Sequence, residues 1–237
     1  MERTNRRRLT GNWITKARES RLPRRIAFYC LGLFLIAFGV TVAVNSTLGV
    51  SPTSALVYVL SRVFSPSMGT FTALLLTFLV LLQILILRGE FKWINLTQLF
   101  AAASYGYFID LSRFLLGDFR LHTYFGQLAM QGVSFILIAL GIALVVELRL
   151  VVLPVEGLAD AIGKKFLNGS FHRGKIIVDC SLTFAALALS LLFLNGLYGA
   201  REGTILSAIL VGKLLPYTQK IITILLPKVG ICFSNTP

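Results

Sequence analysis

Apolar residues fill six stretches of the chain almost without interruption: 26–48, 68–87, 94–115, 123–146, 175–197 and 203–226. A bilayer's hydrocarbon core is crossed by a helix of about 20 residues, and each stretch comes close to that length. Barrel strands would alternate apolar with polar positions, and these runs do not. The pattern predicts an all-α membrane protein with six transmembrane helices in a single membrane domain.

Two shorter segments break the pattern. Residues 52–64 and 154–166 each follow a long apolar run, and each opens on a proline, Pro52 or Pro154. Proline lacks an amide hydrogen and disfavours helix in the residue before it, so both sites read as elbows. Beyond Pro154, Leu158, Ile162 and Phe166 recur every four residues, with Glu156, Asp160 and Lys164 on the opposite stripe. Beyond Pro52 the apolar stripe is Leu56, Leu60 and Phe64, and the polar one Ser54, Tyr58 and Arg62. This is the period of a short amphipathic helix. Neither segment is long enough to span, so each is expected to lie at an interface or dip into the protein, where irregular backbone must be packed or line a cavity.

The two segments belong to a repeat. Shifting the chain by 102 positions lays LIAFGVTVAV (35–44) on LIALGIALVV (137–146), Pro52 on Pro154 and Phe64 on Phe166, with ten of 30 pairs identical. At a slightly larger offset LFAAASYG (99–106) falls on ILSAILVG (205–212). Each unit is a span, a proline elbow, a short amphipathic helix and two more spans. Three crossings per unit put the second copy in from the opposite face, giving two inverted three-helix repeats over 26–115 and 123–228. Inverted repeats with interrupted helices are a recurring plan of secondary transporters.

Charge sharpens the topology. The net charge is +13, and nine of the 23 basic residues lie before residue 26 against only Glu2 and Glu19. Basic residues beside a first span mark the cytoplasmic side. Residues 1–25 therefore read as a cytoplasmic tail suited to anionic lipid, without the aromatics or fold of a nucleic-acid binder. Arg88, Lys92, Arg149, Lys164, Lys165, Arg173, Lys175 and Lys228 fall on the same predicted side, against Arg62, Arg113, Arg120 and Arg201 outside. Both termini, including the short tail 229–237, are expected in the cytoplasm of a bacterial inner-membrane protein. The first run is too long for a signal-peptide core and lacks a cleavage site. Cys30, Cys180 and Cys232 show no paired or metal-ligand spacing, and His122 and His172 are far apart, so no metal or cofactor is indicated.

Ionisable groups inside a bilayer are costly and are candidates for function. Asp179 follows Lys175 by four residues, a helix-face pair, while Glu156 and Asp160 lie on the same side and could join them with Lys164. Lys213, mid-way along the sixth run, needs an acid or a water-filled cavity. Asp110 has Arg113 as its i+3 neighbour. Asn45, Thr97 and Gln98 offer neutral polar contacts of the kind that hold helices together. Gly32, Gly39, Gly132 and Gly141, and Gly203 and Gly212 around Ala208, suit close helix approach. Gly39 and Gly141 are repeat-related. No phosphate loop, triad or paired-carboxylate site is found, so nothing points to an enzyme.

LGVSP (48–52), PVEGLADAI (154–162), KIIVD (175–179) and EGTILSAILVG (202–212) together resemble the YczE/YitT-type bacterial integral membrane proteins. The likeness runs over about 30–215. That family's second elbow reads Gly-Pro-x-Asp-Gly-Leu; here Pro154, Gly157 and Leu158 match, Glu156 replaces the aspartate, and Leu153 stands where the glycine would be. Lys175 and Asp179 match its basic–acidic opening of the next span, and Gly203, Thr204, Ala208 and Gly212 its small-residue stretch. The resemblance implies a multi-pass cytoplasmic-membrane protein and supplies no substrate. The residues themselves favour a small permease for a charged or zwitterionic metabolite, proton-coupled through Asp179 or Glu156; a chain this small is also suited to pairing as a homodimer, which no residue specifies. The alternatives are a non-transporting scaffold that uses the basic tail, and the substrate-binding subunit of a vitamin importer.

Overall fold

The computed structural model describes residues 22–196, 198, 199 and 202–228; the tail before residue 22 and the segment 229–237 lie outside the described residues. Everything regular among the described residues is helical. The α-helices are α1 (Leu22–Ser46), α2 (Pro52–Val63), α3 (Met68–Leu87), α4 (Thr97–Leu116), α5 (Tyr124–Leu148), α6 (Pro154–Phe166), α7 (Phe171–Leu194) and α8 (Glu202–Lys228). Two short 3-10 turns, Arg88–Glu90 and Trp93–Leu96, join α3 to α4. Four helices, α1, α3, α5 and α7, are long and apolar enough to cross a membrane. The two other expected spans correspond to α4 and α8, which are not among these four. Gln98, Tyr105, Asp110 and Arg113 interrupt the apolar run of α4.

Local chemistry sets the ends. Ser67 and Thr123 cap α3 and α5, each side chain accepting from a backbone N–H three residues on, the pairing that satisfies an orphan donor at a helix start. Pro52 and Pro154 occupy the first turns of α2 and α6, where a missing N–H is no loss and the fixed φ suits the helix. Glu156 stands in the first turn of α6 and Lys164 and Lys165 in its last, the polarity that the helix dipole favours.

The centre of the molecule is the antiparallel pair α1 and α5. Arg25 Nη2 donates to the Leu148 carbonyl at 2.6 Å near one end, and Ser46 Oγ meets Gln131 Oε1 at 2.5 Å near the other. Between them a Cβ on Gly32 would lie 3.1 Å from the Gly141 carbonyl oxygen, and one on Gly39 3.1 Å from that of Ser134. The glycines therefore let the two backbones approach closely. The buried share of the most apolar window is 56% for α1 and 50% for α5 but 28% for α3 and 22% for α7. Apolar side chains on the outer pair, including Leu74, Phe78, Leu85, Phe184 and Leu192, face outward.

Because α1 and α5 run in opposite directions, the elbow after α1 and the elbow after α5 fall at opposite ends of the pair. The short helices then cross over: α2 packs on α7, and α6 packs on α3. This placement corrects the expected stripes. The first halves of α2 and α6 are enclosed on most sides, so Ser54 is buried despite its predicted polar face. Their last turns project, leaving Phe64 51% and Phe166 68% exposed although both belong to the apolar stripes. Two glycines also depart from expectation. Gly132 has nothing near it. Gly203 donates its N–H to the Leu48 carbonyl at 2.8 Å, so it packs on the strand of loop before α2. Gly212 is helical, but its surroundings, like those of Ala208, lie outside the described residues.

Candidate functional site

The elbow that begins α6 carries an acidic side chain into the protein. Glu156 reaches toward Lys175 on α7, with Oε1 3.7 Å from Nζ, and the same ammonium is 3.1 Å from Asp179 Oδ1. Lys175 thus lies between two carboxylates from two elements. Although 39% of the Glu156 side chain remains accessible, its Oε2 is shut off from solvent and has no hydrogen-bond partner among the described residues. Burial pushes the Glu156 carboxyl above the ordinary glutamate range, and Asp179 adds to the shift, while Lys175 and a backbone N–H oppose it. A buried carboxylate without full hydrogen bonding favours its neutral form. The arrangement leaves one carboxylate oxygen able to take up a proton or accept from a hydrogen-donating group.

Its floor is a polar contact. Gln83, on α3 and 1% exposed, donates through Nε2 to Gln98 Oε1 at 3.1 Å and to the Pro154 carbonyl at 3.0 Å. A Cβ at Gly157 would come within 2.6 Å of Gln83 Oε1, so glycine at 157 lets α6 seat on this amide. Tyr29 donates to the Val151 carbonyl at 3.3 Å just before the elbow, and Tyr105 of α4 lies within electrostatic reach of Glu156.

The other candidates lie apart from this cluster. Asp160 pairs with Lys164, one turn on, at the exposed end of α6. Lys165 reaches Glu90 at 3.7 Å, tying α6 to the turn after α3. Lys213 is exposed on α8 and forms no ion pair among the described residues. Asp110 sits at the α2 end of the molecule, where its Oδ1 accepts from the Gly69 N–H at 2.8 Å and its Oδ2 from the Ser67 hydroxyl at 2.6 Å. It therefore secures the start of α3; the expected pair with Arg113 is not formed. Asn45 donates to the Gly117 and Phe119 carbonyls, both at 3.0 Å, and fastens the loop between α4 and α5.

Residues 23–220 match the family of unknown function DUF6198. The chain belongs to this family. It is 30% identical over 199 residues to the uncharacterized membrane protein YczE of Bacillus subtilis, covering 83% of this chain and 86% of that relative. It is 25% identical over 189 residues to the uncharacterized protein YyaS of the same organism, covering 79% and 89%. No solved structure matches. The YczE-type resemblance carried by the elbow and by Lys175 and Asp179 is thus a family relationship, and the chain is a membrane protein.

In this DUF6198 chain Gln83, Tyr29 and Tyr105 were not among the residues singled out from sequence. Gln83 carried a usable signal as the only amide in the run LLLTFLVLLQILIL. The tyrosines carried none, since aromatic residues are ordinary occupants of a spanning helix.

Proposed function

We propose that the protein is a small secondary transporter whose coupling site is Glu156 with Lys175 and Asp179. The observation that carries this reading is the half-satisfied carboxylate: Glu156 has one oxygen toward Lys175 and the other buried without a partner. A buried group that gains and loses a proton, held beside a cation and a second acid, suits exchange of a proton for a charged or zwitterionic metabolite.

In this reading the six expected spans form two inverted repeats, with α4 and α8 completing the units. Two hydrogen bonds support it. Tyr29 donates to the carbonyl of residue 151, and Gln131 donates to the carbonyl of residue 49 at 3.1 Å. Adding 102 turns 29 into 131 and 49 into 151, so each bond is the counterpart of the other. The glycine contacts Gly32–Gly141 and Gly39–Ser134 exchange in the same way, as do the packing partners of α2 and α6. The halves would rock against each other across α1 and α5, opening the Glu156 end and the α2 end in turn. The α6 end, with Arg25, Lys164 and Lys165, would face the cytoplasm.

The test is a thermal-shift screen of the purified protein against metabolites, followed by flux of any hit in proteoliposomes. D179N and E156Q should each remove flux of that solute while the protein still inserts and elutes normally. Undiminished flux in both variants would take the coupling role away from this cluster. A version lacking residues 2–22 should retain flux; loss of its cellular phenotype with flux intact would favour the scaffold reading.

A further inference from the structure

At the α2 end, away from Glu156, two clefts meet. One, of about 330 Å³, is lined by Tyr58, Arg62, Ser67, Asp110 and Arg113 among others. The second, of about 270 Å³, shares Tyr58 and Arg62 and adds Arg120. Arg62 is the common wall and it is held in place: Nε and Nη2 donate to the Tyr58 hydroxyl at 3.2 and 2.9 Å, and the guanidinium lies 5.3 Å from that ring's centroid. A guanidinium carries five N–H donors, so this contact, made by an exposed side chain, orients the fork and leaves donors directed elsewhere. Neither Arg62 nor Arg113 forms an ion pair among the described residues.

The acids at this end answer the three arginines only in part: Arg120 pairs with Asp118, while Arg62 and Arg113 have no acid partner among the described residues. Asp110 also lines the first cleft, where its oxygens accept from the neutral Ser67 hydroxyl and Gly69 N–H, so its single charge stands against the two guanidinium groups of Arg62 and Arg113. Asp118 is 97% exposed and pairs with Arg120 at 3.8 Å, a solvent-screened ion pair of little strength. We propose that the joined clefts bind an oxyanion, with Arg62 as the central ligand, Arg113 or Arg120 as the second, and Tyr58 positioning Arg62. Planar guanidinium groups pair with phosphate or carboxylate through parallel hydrogen bonds, and a pre-held fork loses less freedom on binding. In the shifted repeat Tyr58 and Arg62 correspond to Asp160 and Lys164, so the two ends of the molecule differ chemically. The site stands independently of the transport reading. The anion would be a soluble phosphate or the phosphodiester of a lipid headgroup.

The full-length protein in detergent would be titrated with inorganic phosphate at constant ionic strength by calorimetry, and with phosphatidylglycerol against phosphatidylcholine by native mass spectrometry. The wild type should bind phosphate, phosphatidylglycerol or both, and R62Q should weaken that binding about tenfold or more, as expected for loss of a charge-assisted contact. Phosphate binding identifies a soluble ligand, and phosphatidylglycerol binding alone a headgroup. Should R62Q melt or elute abnormally, the R113Q/R120Q double variant takes its place with the same expectation. Binding of neither probe, no preference for phosphatidylglycerol together with no phosphate binding, or equal affinity in the folded variants, overturns the proposal.

Discussion

Glu156 decides what the α6 elbow does, and its protonation gives a measurable sign. Its carboxyl titrates above the ordinary glutamate range in the folded protein, chiefly through burial. In the window from that ordinary range up to the folded value, the native state holds a proton that the unfolded chain has released. Stability therefore falls as pH rises through the window and recovers on acidification. The melting temperature of the wild type minus that of E156Q should rise as pH is lowered from about 8 toward about 4. Parallel curves for the two proteins would remove the buried carboxylate from the account. How much of this was legible in advance differs by residue. The Lys175–Asp179 pair follows from i,i+4 spacing alone, and the structure has it at 3.1 Å. That Glu156 joins this pair was expected from its predicted side of the membrane, and it stands 3.7 Å from the same ammonium; that Asp160 does not join depends on how α6 packs against α7, which no local spacing encodes. Asp110 shows a similar error: its i+3 neighbour Arg113 was the obvious partner, yet the start of α3 claims both its oxygens.

At the scale of elements, the proline elbows and the glycines govern how helices meet. Gly141 illustrates the demand: a Cβ there would lie 2.6 Å from the Gly32 carbonyl oxygen and 2.9 Å from the Ile36 backbone nitrogen. Backbone atoms cannot swing aside, so G141L must spread α1 from α5. Overpacking of this kind costs about 1–3 kcal/mol, and the variant should melt well below the wild type in detergent, whereas G132L, at a glycine with nothing near it, should melt close to the wild type. Equal losses in the two would mean that the helix pair does not depend on close approach. Helix existence was legible here because long apolar runs and Pro52 and Pro154 are strong local signals. The faces of α2 and α6 were less so. A four-residue stripe assumes one buried side, but these helices enter the protein with their first halves surrounded, and Phe64 and Phe166 are carried out on their projecting ends. Gln131 and Tyr29 make the corresponding point for the repeat. They sit 102 residues apart and each donates to a backbone carbonyl, but one is a phenol and the other an amide, so a comparison by identity passes over them.

For the whole molecule, antiparallel α1 and α5 are what put the two elbows at opposite ends, and this makes topology testable without knowing any solute. Ser65 follows α2 and is exposed, and Lys164 lies exposed in the last turn of α6. A version with Cys30, Cys180 and Cys232 replaced by serine would carry S65C or K164C as its single thiol. If the α6 end faces the cytoplasm, as proposed from the basic residues around it, a membrane-impermeant maleimide added to intact cells should label S65C and leave K164C unlabelled until the membrane is opened. The reverse pattern would invert the whole assembly and turn the Glu156 cluster toward the outside. Labelling of both thiols from one side has a harsher consequence. With the helix pair antiparallel, it could arise only if α1 and α5 did not each cross the bilayer, and the proposed inverted repeat would fall with them.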